Sequence, residues 1–126
     1  MVVENLHHVA IIVADYGKSK DFYVNKLGFS VIREEHRQPQ NDIKLEVQLG
    51  NCMLEIFGKV NPEPNHGKPT RCGMWHLCFH APDLDKSIAE LNAMGIATDP
   101  VMINASNGKR IVFFYDPDGL PLELHE

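Results

Sequence analysis

Two distant segments of this chain follow one pattern. His8-Val9-Ala10-Ile11 near the start corresponds to His76-Leu77-Cys78-Phe79 in the second half. Gly28 lies 20 residues after His8, and Gly95 lies 19 after His76. Leu54-Glu55-Ile56 corresponds to Leu122-Glu123-Leu124. The His-to-Glu separation, from 8 to 55 and from 76 to 123, is 47 residues both times. Agreement in residue type, local context and spacing marks an internal duplication. Whatever fold the first half adopts, the second must adopt too.

The element pattern agrees. Leu6 to Ala14 is rich in Val and Ile and reads as a strand. Asp15 opens a helix in which Phe22, Tyr23, Lys26 and Leu27 share helical spacing, with Gly28 as its stop. Extended segments follow over 29–35, 43–49 and 52–57, the last two joined at Gly50-Asn51. Residues 59–73, with Pro62, Pro64 and Pro69, read as a linker of unusual length. The second half then gives a strand over 74–80 and a helix over 83–94, N-capped by Asp83 and stopped by Gly95. A short strand over 101–104 and a strand over 109–115 follow. Asp116-Pro117-Asp118-Gly119 is a tight-turn sequence before a final strand over 120–125. The order is β-α-β-β-β twice, modules 5–58 and 74–126 within one domain of 126 residues.

Composition excludes several roles. Twelve basic residues against seventeen acidic ones leave a net charge of −5, with no Lys/Arg-rich run. A phosphate backbone needs a basic stripe, so nucleic acid is not an expected partner. Cys52, Cys72 and Cys78 are odd in number and follow no CxxC spacing, as expected of reduced thiols. No signal-peptide pattern opens the sequence, and the longest apolar run, Val9 to Ala14, is too short to span a bilayer. The expected location is the cytoplasm.

The chemistry lies in the duplicated His and Glu. A carboxylate between Leu54 and Ile56, or between Leu122 and Leu124, sits in an apolar strand and needs a partner. Two such carboxylates facing each other repel unless a cation lies between them. If equivalent positions of the two halves converge on a pseudo-two-fold axis, His8, Glu55, His76 and Glu123 surround one divalent ion. That set offers two nitrogens and two carboxylates and no thiolate. It suits Zn, Ni, Co, Mn or Fe(II), and argues against a structural cysteine-type zinc site.

These residues resemble the vicinal oxygen chelate superfamily, and within it glyoxalase I-like (lactoylglutathione lyase-like) proteins. The resemblance covers nearly the whole chain. It rests on His8-Val9-Ala10-Ile11, Ser19-Lys20-Asp21-Phe22-Tyr23, Leu27-Gly28-Phe29, Leu54-Glu55-Ile56, Trp75-His76-Leu77, and Phe114-Tyr115-Asp116-Pro117-Asp118-Gly119 leading to Leu122-Glu123-Leu124. It implies an α+β fold of two paired βαβββ modules, each curling a mixed sheet into half of a cleft. It implies a metal on His8, Glu55, His76 and Glu123, and frequent homodimers, sometimes with a site shared between chains. It also implies a lyase or isomerase that stabilises a metal-bound enediolate of a hemithioacetal-like or other vicinal-oxygen substrate. Glu123 and Glu55 are the candidate bases, Glu123 preferred. Two His and two Glu look more like the isomerase and lyase members than the extradiol dioxygenases or fosfomycin-modifying enzymes, which use two His and one Glu.

Two positions depart from the glyoxalase I pattern. Ile12 stands where an Arg commonly contacts glutathione, and Lys59 where an Asn does. This points to another thiol conjugate or another vicinal-oxygen compound. Two further readings remain: a non-catalytic drug or antibiotic binder of the bleomycin-resistance kind, and an epimerase acting beside a thioester. The epimerase group often has Gln where Glu55 stands.

Other residues carry weaker expectations. His7 is the off-face neighbour of His8. His80 shares the face of His76, with a structural role expected. His125 is expected solvated on an edge strand, and His36 and His66 in loops. Trp75, Phe79, Phe113 and Phe114 are expected in the core, and Cys78 as a small buried hydrophobe. Lys68, Arg71 and Arg110 are expected to be solvated unless they meet an anionic substrate.

Overall fold

The computed structural model describes residues 2–65 and 72–126. The expectations for His66, Lys68, Pro69 and Arg71 lie outside the described residues. The chain divides into two units, Met1–Pro64 and Asn65–Glu126.

The first unit runs β1 (Val9–Val13), α1 (Tyr16–Lys20), a π-helical continuation (Asp21–Lys26), β2 (Ser30–Arg37), β3 (Asp42–Leu49) and β4 (Cys52–Gly58). The second runs β5 (Leu77–His80), α2 (Leu84–Ala93), β6 (Met102–Ile103), β7 (Arg110–Tyr115) and β8 (Pro121–His125). Each unit holds one four-stranded mixed sheet, ordered β1-β4-β3-β2 and β5-β8-β7-β6. In both, the first strand pairs in parallel with the last, and the remaining pairs are antiparallel. This is the expected α+β duplication.

Local sequence accounts for the helix limits. The Asp15 carboxylate accepts from Lys18 N at 3.0 Å, and the Asp83 carboxylate from Lys86 N at 3.1 Å, so each helix is N-capped by its own Asp. Gly28 (φ 86°) and Gly95 (φ 80°) follow the two helical segments in the left-handed region, which side chains disfavour.

Period-two alternation places the core. In β1, Ile11 and Val13 are buried while Ala10 and Ile12 are exposed. Leu54 and Ile56 of β4 and Leu45 and Val47 of β3 are buried in the same unit, as are Phe22, Tyr23 and Phe29. Tyr23 meets Phe22 and Phe29 edge-on. In the second unit Leu84, Leu91, Ile96, Val112, Phe114, Leu122 and Leu124 are buried. Among the described residues, no helix is long and apolar enough to cross a membrane.

Three expectations are corrected here. The first strand of each unit is shorter than its apolar run, because pairing starts only at Val9↔Leu54 and Leu77↔Leu122; His8 and His76 each stand one residue ahead of their strand. His36 lies in β2, not a loop, since the β2–β3 ladder continues to Arg37↔Asp42. His125 is not on an edge strand: β8 inserts between β5 and β7, and the half-buried His125 contacts Asn107 and the Glu126 carbonyl.

Candidate functional site: two imidazole–carboxylate pairs

The two ladders set the candidate ligands in one register. Ala10 pairs with Glu55 and Cys78 with Glu123, each two residues after the candidate His. Alternation brings each His to the face of its Glu.

In the first unit, His8 Nε2 lies 3.4 Å from Glu55 Oε1. Glu55 is buried, as its apolar flanks required. Its other oxygen, Oε2, lies 3.5 Å from Lys44 Nζ, and Lys44 Nζ is 3.2 Å from Glu46 Oε1. Glu46 is the cross-strand partner of Glu55, so all three charges share one face. Hydrogen bonding to Glu46 first, and the nearby charges of Glu55 and Glu46, raise the Lys44 pKa above its ordinary value. His8 Nδ1 meets His7 Nδ1 at 2.9 Å, which requires one of the two to carry the proton. The two rings also meet edge-on, with centroids 5.1 Å apart.

In the second unit, His76 Nε2 lies 2.8 Å from Glu123 Oε2, and Glu123 is likewise buried. His76 Nδ1 is buried with no hydrogen-bond partner among the described residues. The neutral tautomer that leaves Nδ1 bare puts the proton on Nε2, where Glu123 accepts it. Two rings hold the imidazole: Trp75 edge-on at 4.7 Å and Phe113 edge-on at 5.1 Å between centroids. Trp75 and Phe113 stack on each other at 6.2 Å. The Cys78 thiol is raised above its usual pKa, by partial burial first and then by Glu123.

Some neighbours differ from expectation. Phe114 is fully buried as expected, but Trp75 is 57% exposed and Phe79 and Phe113 are partly exposed. Alternation explains this for β7: Phe114 faces the core, while Phe113 pairs with Glu123 on the other face. Cys78 also falls on the Glu123 face and is exposed rather than buried. His80 is exposed. Arg110 is engaged by Glu126 at 2.7 Å and Asp85 at 3.0 Å.

Lys44, Glu46 and Asp42 were not singled out by the sequence. Their signal lay in the Gly50-Asn51 hairpin: counting back from Leu49↔Cys52 places Glu46 opposite Glu55. Asp42 is a buried carboxylate held by Arg37 through two bonds of 2.7 Å and by Lys59 at 3.1 Å. Those cations, Arg37 first, hold its carboxyl well below the usual range.

The donors fit a divalent cation. Atoms bound to one ion at about 2.0–2.2 Å stand roughly 3 to 3.5 Å apart. The His8–Glu55 pair already has that spacing, at 3.4 Å. The His76–Glu123 pair, at 2.8 Å, has hydrogen-bond length and would open slightly around an ion. Among the described residues, no three His, Cys, Asp or Glu gather at one point. Each unit holds one imidazole–carboxylate pair.

Fold and paired donors define a glyoxalase-type α+β protein, and comparison with known proteins agrees. The model of the Glyoxalase/Bleomycin resistance protein/Dioxygenase superfamily matches residues 5–124, and the chain belongs to that family. The crystal structure of the glyoxalase family protein from Enterococcus faecalis is 47% identical, covers 100% of both chains and superposes with a TM-score of 0.92. The protein YwkD of Bacillus subtilis is 45% identical over 100% of this chain and 99% of its own length. The mitochondrial methylmalonyl-CoA epimerase of Homo sapiens is 30% identical over 96% of this chain and 73% of its own.

Proposed function

We propose that this protein is a metal-dependent lyase or isomerase of the glyoxalase I type, moving a proton between neighbouring carbons of a small vicinal-oxygen substrate. The observation that carries the reading is the repeated pair: a buried carboxylate against an imidazole Nε2, at the same register in both units. In this reading modules 5–58 and 74–126, with linker 59–73, work as one domain. His8, Glu55, His76 and Glu123 are its metal ligands, within one chain or across a homodimer. A bound divalent ion supplies Lewis acidity, making the C–H beside a substrate carbonyl easier to ionise.

The chain's own residues do the rest. Glu123 takes the proton from one carbon and returns it to the next. Within its unit, among the described residues, Glu123 has no lysine or arginine at ion-pair distance, whereas Glu55 has Lys44. A carboxylate without a fixed cation is the better proton carrier, which supports Glu123 as the principal base and Glu55 as the secondary one. Glutathione is not favoured as the thiol. Ile12 is an exposed apolar residue, and Lys59 is engaged with Asp42.

A second reading is supported by the human epimerase relative: removal and return of a proton at a single carbon beside a thioester. Both begin with proton removal by the base, but epimerisation then needs a second acid to deliver a proton to the opposite face of the same carbon.

Metal analysis of the purified protein, with Glu55→Gln and Glu123→Gln variants, tests the ligand set. Stoichiometric divalent metal in the wild type and weakened binding in both variants are expected. Wild-type affinity in both variants rules the assignment out. Assays with methylglyoxal plus several thiols, and solvent-deuterium incorporation into an acyl thioester, then separate lyase from epimerase. Tight binding of a small molecule without turnover or exchange favours the drug-binding alternative.

A further inference from the structure

We infer that Lys44 is a positioning residue for the metal ligand Glu55, fixing one carboxylate oxygen so that the other faces the cation. The inference rests on the metal reading above and goes beyond its ligand set. The two oxygens of Glu55 are divided between neighbours: Oε1 faces His8 Nε2 at 3.4 Å, and Oε2 faces Lys44 Nζ at 3.5 Å. Lys44 is itself anchored, 3.2 Å from Glu46 Oε1. The ladder sets the geometry, since Glu46 lies directly opposite Glu55 and Lys44 is two residues before Glu46 on the same face. A long, flexible ammonium is thus tethered by one carboxylate and oriented toward a second. The second unit has no counterpart among its described residues: Glu123 faces His76, with the Cys78 thiol beside it. The duplicated carboxylates are therefore inequivalent: Glu55 has an ammonium beside its second oxygen, whereas Glu123 has an imidazole and a thiol.

The sign of one measurement decides the matter. A cation close to a metal site repels the ion, so deleting Lys44 for its charge alone strengthens metal binding. Deleting it as the group that orients Glu55 weakens binding, and outer partners of metal ligands are typically worth about 10–100-fold in affinity. The test is titration of metal-free protein with Zn2+ or Mn2+ alone, on wild type, Lys44→Met, Lys44→Arg, Glu55→Gln and the Lys44→Met/Glu55→Gln double variant. Thermal melts check that each variant is folded. Expected are about tenfold or greater weakening in Lys44→Met, substantial recovery in Lys44→Arg, and no added loss in the double variant over Glu55→Gln. Unchanged or tighter binding by Lys44→Met, with a metal-binding wild type, overturns the role of Lys44 and leaves the ligand set standing. A wild type that binds neither ion overturns the metal reading itself, and this inference with it. If Lys44→Met unfolds, Glu46→Gln, which frees the lysine from its tether, must weaken metal binding for the inference to survive.

Discussion

The two units share a backbone plan and differ in what surrounds their carboxylates. Strand order, parallel pairing of first and last strands, and the offset from His to Glu are the same in both. The surroundings are not. His8 leans on His7 and Glu55 on Lys44, an arrangement of hydrogen bonds and charge. His76 is flanked by Trp75 and Phe113, and Glu123 has the Cys78 thiol beside it, an arrangement of rings and a weak acid. The helices differ as well. In the first unit, five α-helical residues pass into a π-helical segment, whereas α2 is a regular helix of ten. The duplication preserved the register that places the donors and left their chemistry free to diverge. Register follows from the ladder, which tolerates few changes, while a cross-strand neighbour is one side chain.

The comparison can be broken most sharply at the carboxylates. With metal saturating, Glu123→Gln is expected to lower turnover by about 10²–10⁴-fold, the usual contribution of a positioned acid–base group. Glu55→Gln should lose chiefly metal affinity. Equal losses of turnover at saturating metal, measured by steady-state kinetics, would make the units functionally equivalent.

Packing offers the next test. Leu54 and Leu122 are equivalent buried residues next to the two carboxylates. Leu54→Ala and Leu122→Ala should each cost about 2–5 kcal/mol in urea unfolding. A large difference between them would show that the units pack with unequal tightness despite their common plan.

A smaller effect belongs to the first unit alone. Asp42, held by Arg37 and Lys59, has a depressed pKa, so its stabilisation is complete above the ordinary carboxylate range near about 4. It fades as pH falls from there through the folded-state value. Denaturant midpoints measured between neutral and acid pH should fall more steeply for the wild type than for Asp42→Asn. Parallel curves would show that Asp42 adds nothing to the acid sensitivity of the first unit.

The smallest expected change is at the caps. Asp15→Ala and Asp83→Ala should each cost about 1 kcal/mol. The thermal shift for Asp83→Ala should be at least as large, since α2 depends on one cap over ten regular residues.

Much of this molecule is legible in its sequence. The duplication, the element order, both Asp caps, both glycine stops and the burial of Glu55 and Glu123 follow from residue type and spacing along the chain. So does the correspondence of His8 with His76 and of Glu55 with Glu123, because the same spacing occurs twice. These are properties of one strand or helix at a time, or of a repeated pattern. Which strands become neighbours is decided only by tertiary pairing. Lys44 lies eleven residues from Glu55 along the chain and gains meaning because β3 runs antiparallel to β4. Phe113 and Cys78 leave the core because both flank Glu123 across the ladder, and His125 is interior because β8 enters between β5 and β7. Propensity and periodicity act within a segment, whereas the partners of a side chain come from strands whose order only the folded sheet establishes.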